Sequence, residues 1–253
     1  MTSLVLGNFP LTGQGGDQLV SKAVSAAIAA LFKRTGKVEA NVRAEPVSKL
    51  MQGSVDGFDF IGNDMLMYNG LRIKSMELYV QAVSIDFGAI FRGKVTLRQP
   101  TQASMRVVLT EDDLTTSFNT PFVVSKLQQL NIDGKEILFQ NTEMTLNDDN
   151  KSIRLKTQAR AGTFAPFRDI DLTADVDIQE RRKIQFVNVE FSDEDEILAN
   201  ELGEAIIDHV NSLLDLDKFA LDGTQLRVDK IRMRNKELVF YGTAKIDRFP
   251  EKK

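Results

Sequence analysis

Four aspartates at alternating positions of one segment form the densest group of potential metal ligands in the sequence. They are Asp169, Asp171, Asp175 and Asp177. On a β-strand these side chains share one face, with neighbours about 6.6 Å apart, so either adjacent pair could bind a hard cation such as calcium. The opposite face of the segment is apolar, which is typical of a half-buried antiparallel strand with a solvated polar face. We therefore predict that no metal is bound here.

Imidazole and thiol chemistry is almost absent from the sequence. The chain has one histidine, His209, and no cysteine, so disulfides, thiolate zinc sites and cysteine nucleophiles are excluded. His209 lies beside the apolar stripe of a predicted helix, whereas a general base needs a partner and a cleft. We expect it to be a residue at the boundary of the core. No catalytic residue and no cofactor is predicted, and the protein is expected not to be an enzyme.

Two loops resemble ligand-binding motifs without completing them. Gly13-Gln14-Gly15-Gly16 precedes a helix, as a phosphate-binding loop does, but neither a preceding strand nor a Gly-Lys-Ser/Thr sequence accompanies it. Asn147-Asp148-Asp149-Asn150 lacks the glycine and the distal glutamate of a calcium loop and has the composition of a hairpin turn. An enzyme that acts on lipid through a metal at the acidic strand is therefore a minor hypothesis.

The composition is that of a globular protein with a large core. The chain has 253 residues, of which 42% are hydrophobic and 27% are charged, and its net charge of −4 disfavours nucleic acid as a partner. The first ten residues lack the features of a signal peptide, and the apolar stretch 19–32 is shorter than the roughly 20 residues of a membrane span. We expect a cytoplasmic protein, with peripheral contact to the inner face of a membrane left open.

An unusually apolar helix is predicted near the N-terminus. Residues 1–16 are rich in glycine and are expected to be flexible. Asp17 is a suitable N-cap for a helix that runs to Arg34, before Gly36. The helix is apolar around most of its circumference, and helices of this kind are buried or bind a partner surface.

The segment from Lys37 to Leu109 is predicted to form strands, because apolar residues recur at every second position. The phase of this alternation slips several times, and each slip predicts a bulge or a new strand. Strongly bent sheets are built in this way. Further strands are predicted at 137–146, 153–161, 170–179, 184–191, 226–233 and 238–246.

A helix followed by a hairpin occurs twice, at about residues 110–161 and 192–247. Capping boxes at Thr110/Asp113 and Ser192/Asp195 begin helices that run to about residues 130 and 214. Each helix is followed by an Asp-Gly turn, and corresponding positions are separated by 89 residues. This spacing predicts a repeated unit whose helix packs on the concave face of its sheet, although chance similarity of two β-meanders is an alternative. We treat residues 17–253 as one domain.

Phenylalanines in two loops are candidates for membrane contact. Phe164-Ala165-Pro166-Phe167 joins two predicted strands, and Phe122 follows Pro121 at the interruption of the middle helical region. Phe122, Phe164 and Phe167 would insert favourably into a lipid interface. Folding back over the core is the alternative.

A pattern of apolar spacing and turns over more than a third of the chain is similar to a known family. The residues that carry it are Pro46–Gly53, Val55, Phe58, Phe60, Met65, Met67, Gly70-Leu71-Arg72-Ile73, Leu78, Val83, Ile85-Asp86-Phe87, Gly93 and Val108–Leu114. In these positions the chain resembles the LmeA-like phospholipid-binding family. The resemblance implies a bacterial protein that binds phospholipid, with a fold related to the tubular lipid-binding proteins. It supplies no catalytic residues.

The expected fold is therefore α+β, with a strongly curved antiparallel sheet wrapped around long helices. The expected function is non-enzymatic binding of phospholipid or another apolar ligand, for transfer, storage or membrane sensing. Residues expected to line the groove are Ile28, Leu31, Phe32, Met65, Met67, Leu71 and Phe87, and methionine adapts well to flexible chains. The alternative is a structural or adaptor protein whose groove is filled by its own N-terminal helix.

Overall fold

The structure is a computed structural model that describes residues 21, 22, 24–26, 28–44, 49, 52–90, 96–132, 134–192, 197–218, 220 and 222–248, without the side chains of residues 87, 90 and 197–202. The expected flexible segment 1–16 and the Asp17 cap lie outside these residues, as does most of the segment Pro46–Gly53. The same holds for the second half of the Ser192/Asp195 capping box.

Antiparallel strands dominate the described part of the chain. The strands are β1 Val38–Arg43, β2 Ser54–Val55, β3 Gly57–Leu66, β4 Arg72–Val80, β5 Val83–Ser84, β6 Thr101–Thr110, β7 Asn131–Ile132, β8 Lys135–Asn147, β9 Ser152–Ala161, β10 Arg168–Gln179, β11 Lys183–Phe191, β12 Thr224–Arg234 and β13 Glu237–Ile246. The helices are α1 Phe87–Ile90, α2 Glu111–Phe118, α3 Pro121–Leu127 and α4 Ile197–Leu213. Residues 21, 22, 24–26, 28 and 29 are also helical and are called the N-terminal helical segment.

The strands form two larger sheets and one short ribbon. The first sheet has the order β1-β3-β4-β6-β13-β12 and curls into a half-barrel. The second sheet has the order β11-β10-β9-β8-β7, and β2 pairs with β5 in the ribbon. β6 pairs with β13 along its whole length, from Thr101↔Ile246 to Thr110↔Glu237. In the sequence, the second sheet thus lies between β6 and the β12–β13 hairpin, although β6 and β13 are neighbours in the half-barrel.

The half-barrel bends where the inward-facing positions shift by one residue in two neighbouring strands. The shift lies between Gly62 and Met65 in β3 and between Ile73 and Met76 in β4. Gly62 stays opposite Met76 and Met65 opposite Ile73, so the register is preserved. Asp64, inside the bend, has a φ of 48°. The first phase slip of the sequence is therefore a bend that β3 and β4 share, and not a bulge in one strand. The next phase slip marks the start of a new strand, β5.

Each larger sheet has its own hydrophobic core. The half-barrel encloses one core with the N-terminal helical segment, and the second sheet forms another with α2, α3 and α4. Ile231 and Phe240, on β12 and β13, pack against both cores. The turns of the second sheet contact β12, where the Val228 N–H donates to the Arg181 carbonyl (2.7 Å). The two sheets therefore meet along β12.

The structure corrects the expected long helices. The N-terminal helical segment stops before residue 30 instead of continuing to Arg34, because the N–H groups of Lys33 and Arg34 donate to the carbonyl of Leu66 on β3 (2.8 and 3.3 Å). The middle helical region is two short helices, since Thr120 caps a new helix with Pro121 in its first turn. The capping box of Thr110 and Asp113 is confirmed.

The repeat stays a prediction, although both of its turns have the same backbone conformation. Gly134 and Gly223 have φ values of 77° and 79°, which favour glycine. The two hairpins lie in different sheets, since β8–β9 belongs to the second sheet and β12–β13 to the first. α4 packs mainly on β10 and β11 and not on the hairpin that follows it. The expected packing of each helix on its own hairpin is therefore wrong for the second unit.

Candidate functional site: an apolar pocket at one end of the half-barrel

Five strands of the half-barrel end at the same edge with an inward-facing side chain. Antiparallel neighbours place the end of one strand beside the start of the next. Val42 near the end of β1 is opposite Phe58 near the start of β3, and Phe58 is opposite Val80 at the end of β4. Thr101 at the start of β6 is opposite Ile246 at the end of β13. These side chains form a nearly continuous apolar rim.

The rim surrounds a pocket of about 40 Å³. Its lining residues are Val24, Val42, Val55, Phe58, Val80, Val83, Ile85, Leu97, Thr101 and Ile246. Thr101 is the one polar residue among them. Burial of an apolar group in such a pocket is favourable by about 25 cal/mol per Å² removed from water. The lining of the pocket is suited to an apolar group.

The β2–β5 ribbon covers the pocket from one side. Val55 on β2 pairs with Val83 on β5, and both side chains line the pocket. The Ile85 N–H donates to the Gly53 carbonyl (2.8 Å), which fixes the turn before β2. Gly53 has a φ of 79°, and a Cβ there would clash with the Ile85 carbonyl, so this position requires glycine. The ribbon is attached to the half-barrel by few backbone hydrogen bonds of its own.

The N-terminal helical segment forms the opposite wall and lies along the free edge of β1. Ser25 Oγ accepts a hydrogen bond from the Ala40 N–H (2.9 Å), and Ser21 Oγ accepts one from the Val42 N–H (3.0 Å). Serines four apart on a helix and amides two apart on a strand have nearly the same spacing, about 6 Å. The two serines thus satisfy an edge that would otherwise be open for pairing. Val24, between them, contributes to the pocket.

The residues expected to line the groove lie deeper in the same half-barrel. Ile28, Phe32 and Met65 are 5%, 5% and 1% exposed and belong to its core. Leu31 and Met67 pack against that core, and Leu71 is half-buried beside the β3–β4 turn. The side chain of Phe87 is outside the described residues. None of the six described side chains lines the pocket, so their contact with a ligand stays a prediction.

The pocket residues that were not predicted share one signal in the sequence. Val42, Phe58 and Val80 belong to the alternating apolar positions from which the strands were predicted, but none was predicted to be part of a site. Each lies at or next to a strand end, where polar residues are common in an antiparallel meander. The missing information was the pairing of β6 with β13, which brings Ile246 to the rim. That contact joins residues more than 130 positions apart, and local periodicity does not report it.

A larger groove beside β1, β3 and β4 has a mixed lining of polar, charged and apolar side chains. It measures about 520 Å³ and is open to solvent. Its lining residues are Ser21, Lys22, Ser25, Val38, Glu39, Ala40, Asn41, Asp59, Ile61 and Tyr79. The Arg43 guanidinium donates hydrogen bonds to the Asp59 carboxylate at this groove, and these bonds raise the pKa of Arg43. The charged residues in its lining, Lys22, Glu39 and Asp59, make this groove less favourable for an acyl chain than the pocket at the strand ends.

The residues with possible catalytic or metal chemistry are occupied by structural contacts. Asp171 accepts two hydrogen bonds from Arg154 (2.6 and 2.8 Å), which lower its pKa. Asp169 accepts from Gln158 and Asp175 from Asn188. His209 Nε2 donates to the Lys126 carbonyl (3.0 Å) and links α4 to α3. Among the described residues there is no group of three or more potential metal ligands.

The three membrane-contact candidates differ in exposure. Phe164 is 100% exposed at the β9–β10 turn. Phe167, in the same turn, is half-buried with the Arg160 guanidinium 4.4 Å above its ring. Phe122 is half-buried on α3. Among the described residues, no helix is both long enough and apolar enough to cross a membrane.

Comparison with known proteins gives one match. A family model described as LmeA-like phospholipid-binding matches residues 11–243 of the 253-residue chain. Comparisons with curated proteins and with solved structures found no match. The matched range includes the whole second sheet and the half-barrel except residues 244–246 of β13, so Ile246 is the one pocket residue outside it.

Proposed function

The chain belongs to the LmeA-like phospholipid-binding family, and we propose that it binds a phospholipid by enclosing an acyl chain in the half-barrel. The observation that carries this proposal is the apolar pocket at the open end of the half-barrel. The ligand would be held by burial of methylene groups, each contributing about 0.8 kcal/mol. The family description concerns binding, and the proposed role is non-enzymatic: lipid transfer, storage or membrane sensing.

Binding requires the pocket to enlarge. Pockets that enclose a small-molecule ligand measure about 300–1,000 Å³, whereas this one measures about 40 Å³. Two walls of the pocket are joined to the rest of the structure by small elements. Each strand of the β2–β5 ribbon is only two residues long. Two serine hydroxyls attach the N-terminal helical segment to the amides of β1. We propose that these walls separate to admit the chain.

The enlarged groove would include the deeper residues predicted from the sequence. Ile28 and Phe32 follow Val24 at intervals of four on the same helical face. If the helical segment moves outward, Met65 on the half-barrel would face the ligand in their place. The segment then gates the groove instead of filling it permanently, which distinguishes the proposal from the adaptor hypothesis. Family membership gives no support to an adaptor.

A pocket-filling variant tests the proposal. Val83→Phe places an aromatic ring in the pocket, and we expect the amount of phospholipid that copurifies with the protein, or is taken up from vesicles, to fall about tenfold. Native mass spectrometry and lipid extraction measure the bound lipid. The matched control is Ile61→Phe, which adds the same ring at a position 36% exposed on the outer face of β3.

Two results would contradict the proposal. One is the absence of bound phospholipid in the wild-type protein after purification and after incubation with vesicles. The other is an equal lipid content in Val83→Phe and Ile61→Phe when thermal unfolding shows both to be folded. The cytoplasmic location expected from the sequence is part of the proposal and is tested separately by fractionating cells that contain the tagged protein.

A further inference from the structure

A fully exposed phenylalanine lies at the end of the second sheet that faces away from the half-barrel. The turn of residues 162–167, called the β9–β10 tip, joins β9 to β10. The turns at the other end of this sheet contact the half-barrel: Arg181 accepts from the Val228 N–H of β12, and Asp148 accepts from the Lys236 N–H in the β12–β13 turn. The tip is therefore the end of the sheet farthest from the half-barrel. Phe164 at its centre is 100% exposed.

The first residue of the tip, Gly162, is fixed by a backbone hydrogen bond to the neighbouring strand. The Gly162 N–H donates to the Glu136 carbonyl (2.8 Å), which joins the tip to the start of β8. Gly162 has a φ of 72°, a conformation that glycine adopts without strain. Phe167 folds back under Arg160, whereas Phe164 does not. Among the large apolar side chains of the described residues, Phe164 is the most exposed.

The cations around the tip suit a negatively charged partner. Arg160 lies over Phe167 and forms no ion pair with any carboxylate in the described part of the chain, and its Nε is buried without a hydrogen-bond partner. Lys135 lies beside Gly162 and likewise has no described ion pair. In contrast, Arg154 on the same face of β9 is paired with Asp171. The Arg160 guanidinium near the tip therefore has no described carboxylate that neutralises its charge.

We propose that the β9–β10 tip docks on an anionic phospholipid bilayer, with Phe164 inserted at the level of the headgroups and Arg160 binding a lipid phosphate. An aromatic side chain is favourable at this depth, and a guanidinium binds a phosphate through paired hydrogen bonds. This site is separate from the pocket, which lies in the other sheet. The proposed docking surface and the proposed lipid groove can therefore be tested independently.

Tryptophan substitution gives a direct readout, because the chain contains no tryptophan. Phe164→Trp should show a blue-shifted emission, and quenching by brominated acyl chains, when phosphatidylcholine vesicles containing phosphatidylglycerol are added. Tyr79→Trp, 43% exposed on β4 of the other sheet, is the matched control and should show neither. Phe164→Ala should weaken vesicle binding about tenfold while the melting temperature stays unchanged, since the side chain is fully exposed.

Arg160 is tested through the charge of the vesicle. Arg160→Gln should weaken binding to vesicles with phosphatidylglycerol about fivefold and leave binding to phosphatidylcholine alone unchanged. Arg160→Lys, which keeps the charge and part of the contact with Phe167, should restore part of the difference. Raised salt should reduce the effect of phosphatidylglycerol.

The proposal is overturned if Phe164→Trp gives the same emission with and without vesicles. It is also overturned if the emission shifts without lipid as the protein concentration rises, because the tip would then contact a second copy. If the tip fails these tests while phospholipid still copurifies with the protein, the proposed function stands. If the tip binds vesicles and no phospholipid enters the protein, the docking surface stands and the groove does not.

Discussion

One aspartate of β10, Asp171, is neutralised by basic residues of the neighbouring strand β9. Asp171 binds Arg154 through both carboxylate oxygens (2.6 and 2.8 Å), and Lys156 Nζ lies 3.5 Å away. The hydrogen bond from Arg154 is the main cause of the lowered pKa of Asp171. The ion pairs balance the charge of Asp171 on the acidic face of β10. They also make this part of the stability dependent on pH.

Asp171→Asn is expected to destabilise the protein by about 1 kcal/mol at neutral pH. The folded state lowers the pKa of Asp171 below its ordinary value of 3.8, so the folded state binds this proton less readily than the unfolded state. The contribution is therefore complete above that ordinary value and is lost as the pH falls through the lowered pKa.

Urea unfolding at a series of pH values measures the effect. The difference between wild type and Asp171→Asn should be largest at neutral pH and disappear in acid. Asp149→Asn, in the exposed β8–β9 turn, controls for removal of a surface carboxylate. A difference that grew towards low pH would contradict the assignment.

At the scale of the elements, the N-terminal helical segment is joined to the half-barrel by two serines. Ser21 and Ser25 were expected on the polar side of the helix, and the structure places them against the edge of β1. Ser25 also donates to the Ser21 carbonyl (2.8 Å), so its hydroxyl is satisfied in both roles. The apolar face with Val24 and Ile28 is thereby turned into the half-barrel.

Replacing both serines by alanine should loosen this wall. The amides of Ala40 and Val42 would lose their acceptors, and we expect the free energy of unfolding to fall by about 1 kcal/mol for each. Uptake of a fluorescent phospholipid from vesicles should become faster, because the proposed opening costs less. Stopped-flow fluorescence measures the rate.

Ser125→Ala is the matched control for this pair of substitutions. Ser125 Oγ also donates to a helix carbonyl, that of Phe122, and has no partner on β1 among the described residues. Ser125→Ala therefore measures the effect that the higher helix propensity of alanine has by itself. If the double variant and Ser125→Ala take up lipid at the same rate, the helical segment is not the gate.

The strands were largely predictable from the sequence, whereas the ends of the helices were not. The expected strands at 137–146 and 238–246 correspond to β8 and β13 within about one residue at most ends, because alternation of apolar residues is a local signal. The predicted helix end at Arg34 failed because a bridge to Leu66 outweighs helix propensity there. Thr120 followed by Pro121 is a typical helix start, but we predicted one continuous helical region there and did not use this signal.

At the scale of the whole molecule, the order of the strands determines where a ligand can bind. The chain forms β6, then the second sheet, and only then returns with β13 and β12. Curvature and family membership were accessible from the sequence. The pocket was not, because it depends on Ile246 reaching the strand ends near Phe58 and Thr101.

The most direct test of the central claim is photo-crosslinking with a phospholipid that carries a diazirine near the end of one acyl chain. After irradiation of the wild-type protein loaded from vesicles, mass spectrometry of the peptides locates the adducts. We expect adducts in the peptides that contain Val24, Phe58 and Val83–Ile85, which line the pocket. Adducts confined to the outer face, at Ile61 and Tyr79, or to the second sheet would contradict binding of an acyl chain inside the half-barrel.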